Sequence, residues 1–335
     1  MALNTQVVLR NRPGSRLAET DVEVVETEIP ELADNEFLVE SNYVSIDFAM
    51  RGWMAARRSY IPTLDLGGVL RGCSAGTVIA SRSKDFPEGA HVCGMLGVQS
   101  HAVSDGTGVY RVNPEQASLK RWVGGLGPTT ALTAYLGLLH AGRPQEGDTV
   151  FVSGATGAVG SLVGQMAKLK ACRAVGTAGN AAGCDFVVSE YGFDACVNYK
   201  ADNLAEEIAQ ACPDRIDVLF ENVGGVLLDA SLLHMNTFGR IVLCGFTSDR
   251  TAPEPYGVKN LRAVLMERLT MLGFILFEYA NGYQTAADDI GAWFADGKLK
   301  LQGEEEVHPG GLPAFASALN RVLDGQNTGK VILEL

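Results

Sequence analysis

Histidine is scarce in this 335-residue chain: His91, His101, His140, His234 and His308 are all it has. A catalytic zinc needs three protein ligands converging on an open site, and five scattered imidazoles offer no such set. They read as surface or hydrogen-bonded core residues, and no metal is expected. Cysteines also stand singly, at positions 73, 93, 172, 184, 196, 212 and 244, with no close pair of ligand spacing. An odd, dispersed set points to reduced, partly buried thiols in a cytoplasmic protein. Basic charge is short as well, 27 Lys and Arg against 39 Asp and Glu, and the net charge of -12 argues against a nucleic-acid surface. No run of about 18 apolar residues occurs, and the amino terminus lacks a signal-peptide core, so no membrane segment is expected.

What the chain does have is apolar content, 47% against 20% charged, and enough length for two domains. Its first 120 residues carry short β-branched runs broken by Gly and Pro: "VEVVETEIP", "EFLVESNYVSI", "AGTVIASR", "HVCGML", "SHAVSD" and "GVYRV". That punctuation predicts an all-β module. Helical spacing begins around "GPTTALTAYLGLLHAG" and ends near Gly142. Strands and helices then alternate, with strands at "TVFVSG", "CRAVGTAG", "DACVNY", "IDVLFENVGG", "RIVLCGF" and "TMLGFILF". Near-continuous apolar strands alternating with amphipathic segments predict a doubly wound parallel sheet covered on both faces. A helix is expected over 283–295, and the tail, closing in "GKVILEL", is expected to return to the β-rich domain. The predicted domains are 1–125 with 300–335, and 126–299.

The sharpest local signal is "DTVFVSGATGAVGSLVGQMAKLK", a strand that turns at Gly154 and becomes a helix. Ala155-x-Gly157-x-x-Gly160 is a variant of the dinucleotide-binding fingerprint. Gly157 lets backbone approach a pyrophosphate, Gly160 lets helix pack on strand, and the helix N-terminus supplies unpaired N–H groups. The glycines alone are a weak signal. Their place between strand and helix, at the head of an alternating run, makes the signal strong.

Several stretches together resemble the medium-chain dehydrogenase/reductase superfamily, and within it the zinc-independent alkenal/one oxidoreductases, which include prostaglandin and curcumin reductases. They are "SIDFAMRGWM" (45–54), "SGATGAVGSLVGQMAKLKAC" (153–172), "YGFDACVNYK" (191–200), "ENVGG" (221–225), "GRIVLCG" (239–245), "GFILFEYA" (273–280) and "GQNTGKVIL" (325–333). The resemblance implies a GroES-like β-rich domain plus a Rossmann domain, NADPH as cofactor, a homodimer, and a small-molecule enone or enal substrate reduced at its carbon-carbon double bond. Zinc-dependent relatives carry Gly-His-Glu where this chain reads "RGCSAGTV", with Cys73 and Ser74 in those places. A quinone acceptor, or cofactor binding without turnover, remains open.

By the same resemblance, Gly157, Ala158, Val159 and Gly160 hold the pyrophosphate, and Asn222 lies near the cofactor with Cys244, Gly245 and Phe246. Phe274, Ile275 and Leu276 flank the nicotinamide unless they are plain core strand, and Asn327 contributes from the tail. On the substrate side relatives have Asp-Pro-Tyr-Met-Arg where this chain has Asp47, Phe48, Ala49, Met50 and Arg51, so a tyrosine is lost at Ala49. Tyr60 is the candidate proton donor or carbonyl ligand, against a packing or surface tyrosine. After "LCGF" the family's tyrosine is missing, and Arg250 and Tyr256 are the nearest substitutes. Tyr279 adds to an apolar cleft.

In "AVGTAGNAAGCDF" (174–186) an NAD site would place an acid about 20 residues beyond the glycine turn. Thr177, Ala178, Gly179 and Asn180 stand there, and Asp185 comes too late. Relatives meet the 2′-phosphate of NADPH with a lysine whose place is taken here by Gly183. Tyr199 and Lys200 remain, with Asn180 as a neutral donor and Arg173 behind them. The expectation is NADPH preference with weakened discrimination against NADH.

Overall fold

A computed structural model describes residues 3–250, 254 and 256–335. Contacts divide the chain into two compact units: Met1–Thr130 with Phe277–Ala295 and Leu301–Leu335, and Ala131–Leu276 with Asp296–Lys300. Its strands run β1 (Leu3–Leu9), β2 (Val22–Glu28), β3 (Phe37–Ser45), β4 (Ser74–Ser81), β5 (His91–Gly94), β6 (His101–Ser104) and β7 (Val109–Arg111). Then follow β8 (Thr149–Val152), β9 (Arg173–Ala178), β10 (Ala195–Asn198), β11 (Ile216–Glu221), β12 (Met235–Leu243), β13 (Thr270–Gly273), β14 (Glu306–His308) and β15 (Val331–Glu334).

In the first unit β1 and β2 form an antiparallel ribbon, and a larger sheet has the order β14-β15-β3-β4-β5-β7, with β6 also on β3. The tail returns as the sequence predicts: Ile332 pairs with Ser45 and Leu333 with Val44. Val331, Ile332 and Leu333 are buried, and the helix Phe315–Leu323 lays Phe315, Ala318 and Leu319 into a core with Val44, Ile46, Met50 and Trp53. Emptying such a site, as in Phe315→Ala, costs about 3–5 kcal/mol. A second core forms around Phe37, Val78 and Val92, with Phe86 stacked on Phe37 at 4.4 Å.

The helix Tyr283–Ala295 groups with this unit, whereas the sequence-based boundary puts it with the nucleotide-binding domain. Specific contacts carry the difference. Tyr283 meets Tyr110 edge-on at 5.9 Å, and Gln284 accepts from the Arg111 backbone N–H and donates to its carbonyl. Gly291 leaves room for Trp122 and Gln116. Such pairings between distant segments leave no trace in local periodicity.

The second unit is a six-stranded parallel sheet in the order β10-β9-β8-β11-β12-β13. Counted from β8 this is 3-2-1-4-5-6, the doubly wound order. Strand β8 is buried throughout and β11 almost so, as the unbroken apolar runs predict. Helices Ala158–Leu169, Ala181–Tyr191, Leu204–Ala211 and Gly225–Leu232 link the strands. Asn180 caps the second of these by accepting from the Gly183 N–H at 2.7 Å, and Gly192, in the left-handed region, ends it.

Two features exceed the sequence reading. Strand β1 lies in a segment read only for its lack of a targeting signal. The helical stretch over 128–142 is partly wound as π-helix, at Pro128–Leu132 and Gly137–Gly142, on either side of Thr133–Leu136. Such widened turns depend on packing rather than on composition.

Candidate functional site

In the parallel-sheet unit the chain leaves β8 through Ser153 and turns at Gly154, whose φ of 67° suits glycine. The Gly154 N–H donates to Thr177 Oγ1 at 3.0 Å and the Ala155 N–H to the Thr177 carbonyl at 2.9 Å, fixing the turn to β9. A Cβ on Gly160 would lie 2.3 Å from the Gly154 carbonyl oxygen, so helix and turn meet too closely for any side chain. Gly157 caps the helix in extended conformation without a side-chain bond. Gly157 and Ala158 are exposed, and the first-turn amides at Ala158, Val159 and Gly160 belong to the helix N-terminus, whose N–H groups lack intrahelical partners and suit an anion. A Cβ on Gly157 would meet only the Gly154 carbonyl, at 3.2 Å, and this open cradle fits a dinucleotide pyrophosphate.

The next strand end carries a group that the sequence reading missed. Glu221 closes β11 fully buried, and its Oε1 accepts from Ser153 Oγ at 2.6 Å and from the N–H groups of Val223 and Gly224 at 2.6 and 2.8 Å. Its Oε2 is buried without a hydrogen bond. Burial raises its carboxyl above the ordinary value, and those hydrogen bonds only partly oppose the shift. The signal was an acid at the end of an apolar strand, where it is costly unless held.

Asn222 is fixed beside it, its N–H on Ser153 Oγ at 2.7 Å and its side-chain amide on the Ser153 carbonyl at 2.9 Å. Cys244 and Gly245 both donate backbone N–H groups to the Glu221 carbonyl. Burial, then Glu221, pushes the Cys244 thiol up to about 12, so it is no thiolate. Phe246 is 43% exposed. Thus Asn222, Cys244, Gly245 and Phe246 come together with the glycine turn at the carboxyl ends of the strands, where open α/β sheets bind ligands. Phe274 and Leu276 are buried and Ile275 is half-buried; Phe274 packs at Gly137, the core role weighed for this segment.

Beyond β9, Tyr199 lies against Gly179, whose Cβ would be 3.1 Å from its hydroxyl oxygen, and Lys200 is exposed. Asn180 spends its Oδ1 on the helix cap, which leaves its amide N–H₂ as the donor group. Arg173 starts β9 at the opposite end and donates to the Ala211 carbonyl, so it is removed from this corner.

Tyr256 lies further along the same segment as Phe246. Its hydroxyl donates to Asp229 at 3.1 Å, and Asp229 also takes the backbone N–H groups of Lys259 and Asn260, so this tyrosine pins its own loop. The Arg250 side chain lies outside the described residues, as do Thr251–Pro253 and Pro255.

In the β-rich unit Asp47 is buried and ion-paired with Lys330, while Ser45 Oγ donates to its Oδ2 at 2.8 Å. Burial alone would raise its carboxyl, but the Lys330 charge and hydrogen bonds from Lys330, Thr129 and Ser45 hold it below the ordinary range. Asp47 is therefore a buried tether for the returning tail, and Met50, 2% exposed, is core. Neither side chain offers a ligand much surface. Ala49 is half-buried, as is Tyr279, in the turn Leu276–Gly282. Asn327 donates to the Gly329 carbonyl at 2.9 Å and so shapes the loop before β15.

Tyr60 differs from these. It is 52% exposed, and its oxygen accepts the Trp53 indole N–H at 2.8 Å. Phe277 lies beside both rings, at 5.9 Å from Trp53 and 6.3 Å from Tyr60. A phenol anchored through its acceptor side keeps its O–H available to a ligand.

Among the described residues no group of three or more His, Cys, Asp and Glu is placed to hold a metal. Cys73 is buried 3.5 Å from Met95 Sδ, and burial, then Asp47, raises its thiol well above the usual range.

Residues 5–112 match a family described as the N-terminal domain of oxidoreductase, and residues 158–291 one described as zinc-binding dehydrogenase. The chain is 36% identical to the NADPH-dependent curcumin reductase of Escherichia coli K12, over 99% of this chain and 97% of that one. It is 34% identical to the NADP-dependent 2-alkenal reductase of Nicotiana tabacum, covering 98% and 97%, and 37% identical to mouse prostaglandin reductase 1, covering 93% of each. Among solved structures, CurA from Vibrio vulnificus in complex with NADPH superposes with a TM-score of 0.78 at 37% identity, covering 98% of both chains. A quinone oxidoreductase from Pseudomonas syringae reaches the same TM-score at 20% identity, which speaks for the fold alone. With its glycine turn, doubly wound sheet and these full-length relatives, the chain belongs to the medium-chain dehydrogenase/reductase superfamily, in the branch of the enone and alkenal reductases.

Proposed function

We infer that this protein is an NADPH-dependent reductase of the carbon-carbon double bond in α,β-unsaturated ketones and aldehydes, working without zinc. The observation that carries the reading is the open glycine cradle, with a close helix-strand approach at Gly160, in a chain whose full-length relatives are named as NADP-dependent reductases. When bound, NADPH supplies a hydride to the β-carbon. The first-turn amides of Ala158, Val159 and Gly160 bind the pyrophosphate, and Asn222, rigidly held through Ser153, orients what lies at the strand ends.

Negative charge collects on the substrate carbonyl oxygen during such a reduction and needs a placed donor. Tyr60 is our candidate for that donor and for the proton that reaches the α-carbon, by itself or through water. Its exposure and its indole anchor support the role. Lys200 and Tyr199, with the Asn180 amide, are our candidates for the 2′-phosphate. One exposed lysine is a thin cationic partner for a doubly charged group, hence an NADPH preference with reduced discrimination.

We further propose a cytoplasmic homodimer. Among the described residues strand β13 ends its sheet with one edge unpaired, and nearby Leu261, Leu265, Met266 and Leu272 are exposed apolar side chains suited to a second copy. No described helix is long and apolar enough to cross a membrane.

Cofactor oxidation followed with 3-nonen-2-one, a quinone and no acceptor tests the activity. Turnover is expected with the enone; no oxidation with any of a broad enone and enal panel would overturn the reading. Tyr60→Phe should lower kcat by about 100-fold with little change in the KM for NADPH. Lys200→Ala should raise that KM by about tenfold and leave kcat nearly unchanged.

A further inference from the structure

Dispersed in sequence, two cysteines meet in the fold. Cys184 lies in the first turn of the helix Ala181–Tyr191 and Cys196 on β10, and their sulfurs stand 2.7 Å apart, both as free thiols. Two sulfurs at that separation are within reach of one another, as a disulfide of about 2.05 Å requires. We propose that Cys184 and Cys196 form a redox-responsive dithiol which, when oxidised by a peroxide to a disulfide, weakens NADPH binding. The second half of this proposal rests on the NADPH reading above.

Position supplies the link to the cofactor. Cys184 directly follows Gly183, whose N–H is held by the Asn180 cap, and Cys196 precedes Tyr199 by three residues on the strand that delivers it. Tyr199 in turn lies against Gly179. A covalent link would draw the first turn of the helix toward β10 between the groups proposed for the 2′-phosphate. A shift of a few tenths of an ångström there separates donors that act together on one phosphate.

The chemistry balances with hydrogen peroxide as oxidant. One sulfur attacks an oxygen, the O–O bond breaks, and a sulfenic acid and one water result. The second thiol attacks that sulfur, the S–O bond breaks, the S–S bond forms and a second water leaves. The pair loses two electrons and two protons, and dithiothreitol reverses the change. Burial first, and Cys184 next, push the Cys196 thiol up, so the thiolate is scarce and the pair stays reduced until the oxidant is abundant. Cys196 is only half-buried, which gives a small oxidant access.

The test compares peroxide-treated with dithiothreitol-treated full-length protein, by non-reducing peptide mapping and by kinetics with NADPH and 3-nonen-2-one. A peptide linking Cys184 to Cys196 is expected, together with a KM for NADPH raised by at least about threefold at nearly constant kcat, reversed by dithiothreitol. Cys184→Ser and Cys196→Ser should each lose both the link and the KM response. Absence of the linked peptide overturns the proposal, and so does a link that leaves the KM unmoved. Reduced protein that fails to consume NADPH would instead mark failure of the cofactor reading, and the linked peptide still decides the redox site.

Discussion

Two of the buried carboxylates, Asp47 in the β-rich unit and Glu221 in the parallel-sheet unit, are held in opposite ways. Asp47 faces a lysine, with Ser45 and Thr129 hydroxyls completing its shell, and its carboxyl falls below the ordinary value although burial pushes the other way. Among the described residues Glu221 meets a hydroxyl and backbone N–H groups but no cation, keeps one oxygen without a partner, and its carboxyl rises. Burial alone does not decide a buried acid's charge; an opposing full charge does. The β-rich unit thus secures its returning tail with an ion pair, whereas the parallel-sheet unit builds its strand ends from amides and a hydroxyl.

Breaking the ion pair should have the largest effect. Lys330→Met leaves Asp47 buried without its cation and should cost about 3–5 kcal/mol in urea unfolding, and Asp47→Asn added to it should recover a good part. Next comes the glycine turn, where Gly160→Ala drives a methyl into the Gly154 carbonyl. It should cost about 1–3 kcal/mol and raise the KM for NADPH, measured by urea unfolding and initial rates.

The pH dependence separates the two acids by sign. Asp47 has a folded pKa below its unfolded value of 3.8, so its stabilisation is present above that value and is lost as pH falls through the folded pKa. Glu221 has a folded pKa above its unfolded value of 4.5, so its contribution is greatest below 4.5 and is lost as pH rises through the folded pKa. Urea unfolding of wild type and Glu221→Gln across mildly acidic to neutral pH should therefore show the wild type gaining on the variant as pH falls. At neutral pH the substitution itself should change stability by only about 1 kcal/mol. A wild type that loses ground to the variant on acidification would break the comparison.

Much of the second unit was legible because its signals are local. The glycine spacing and the apolar strands each depend on neighbours within a few residues, and the doubly wound class followed from alternation. The β-rich unit was legible as a class, but its particulars were not. The pairing of β15 with β3 gave only a general expectation, while the Asp47–Lys330 ion pair joins residues 283 apart, a separation no periodicity reports. The hydrogen bond from Tyr256 to Asp229, 27 residues away, shows the same limit. The thiol pair was hidden for a third reason, since a helix and the following strand bring Cys184 and Cys196 together although 12 positions separate them.

The central claim, reduction at the double bond by NADPH, is tested most directly by where the hydride goes. Turnover of 3-nonen-2-one with NADPH deuterated at the transferring position, read by NMR of the product, should give the saturated ketone with deuterium on the β-carbon. Deuterium on the carbonyl carbon of an allylic alcohol, or cofactor oxidation without a saturated product, would contradict the account.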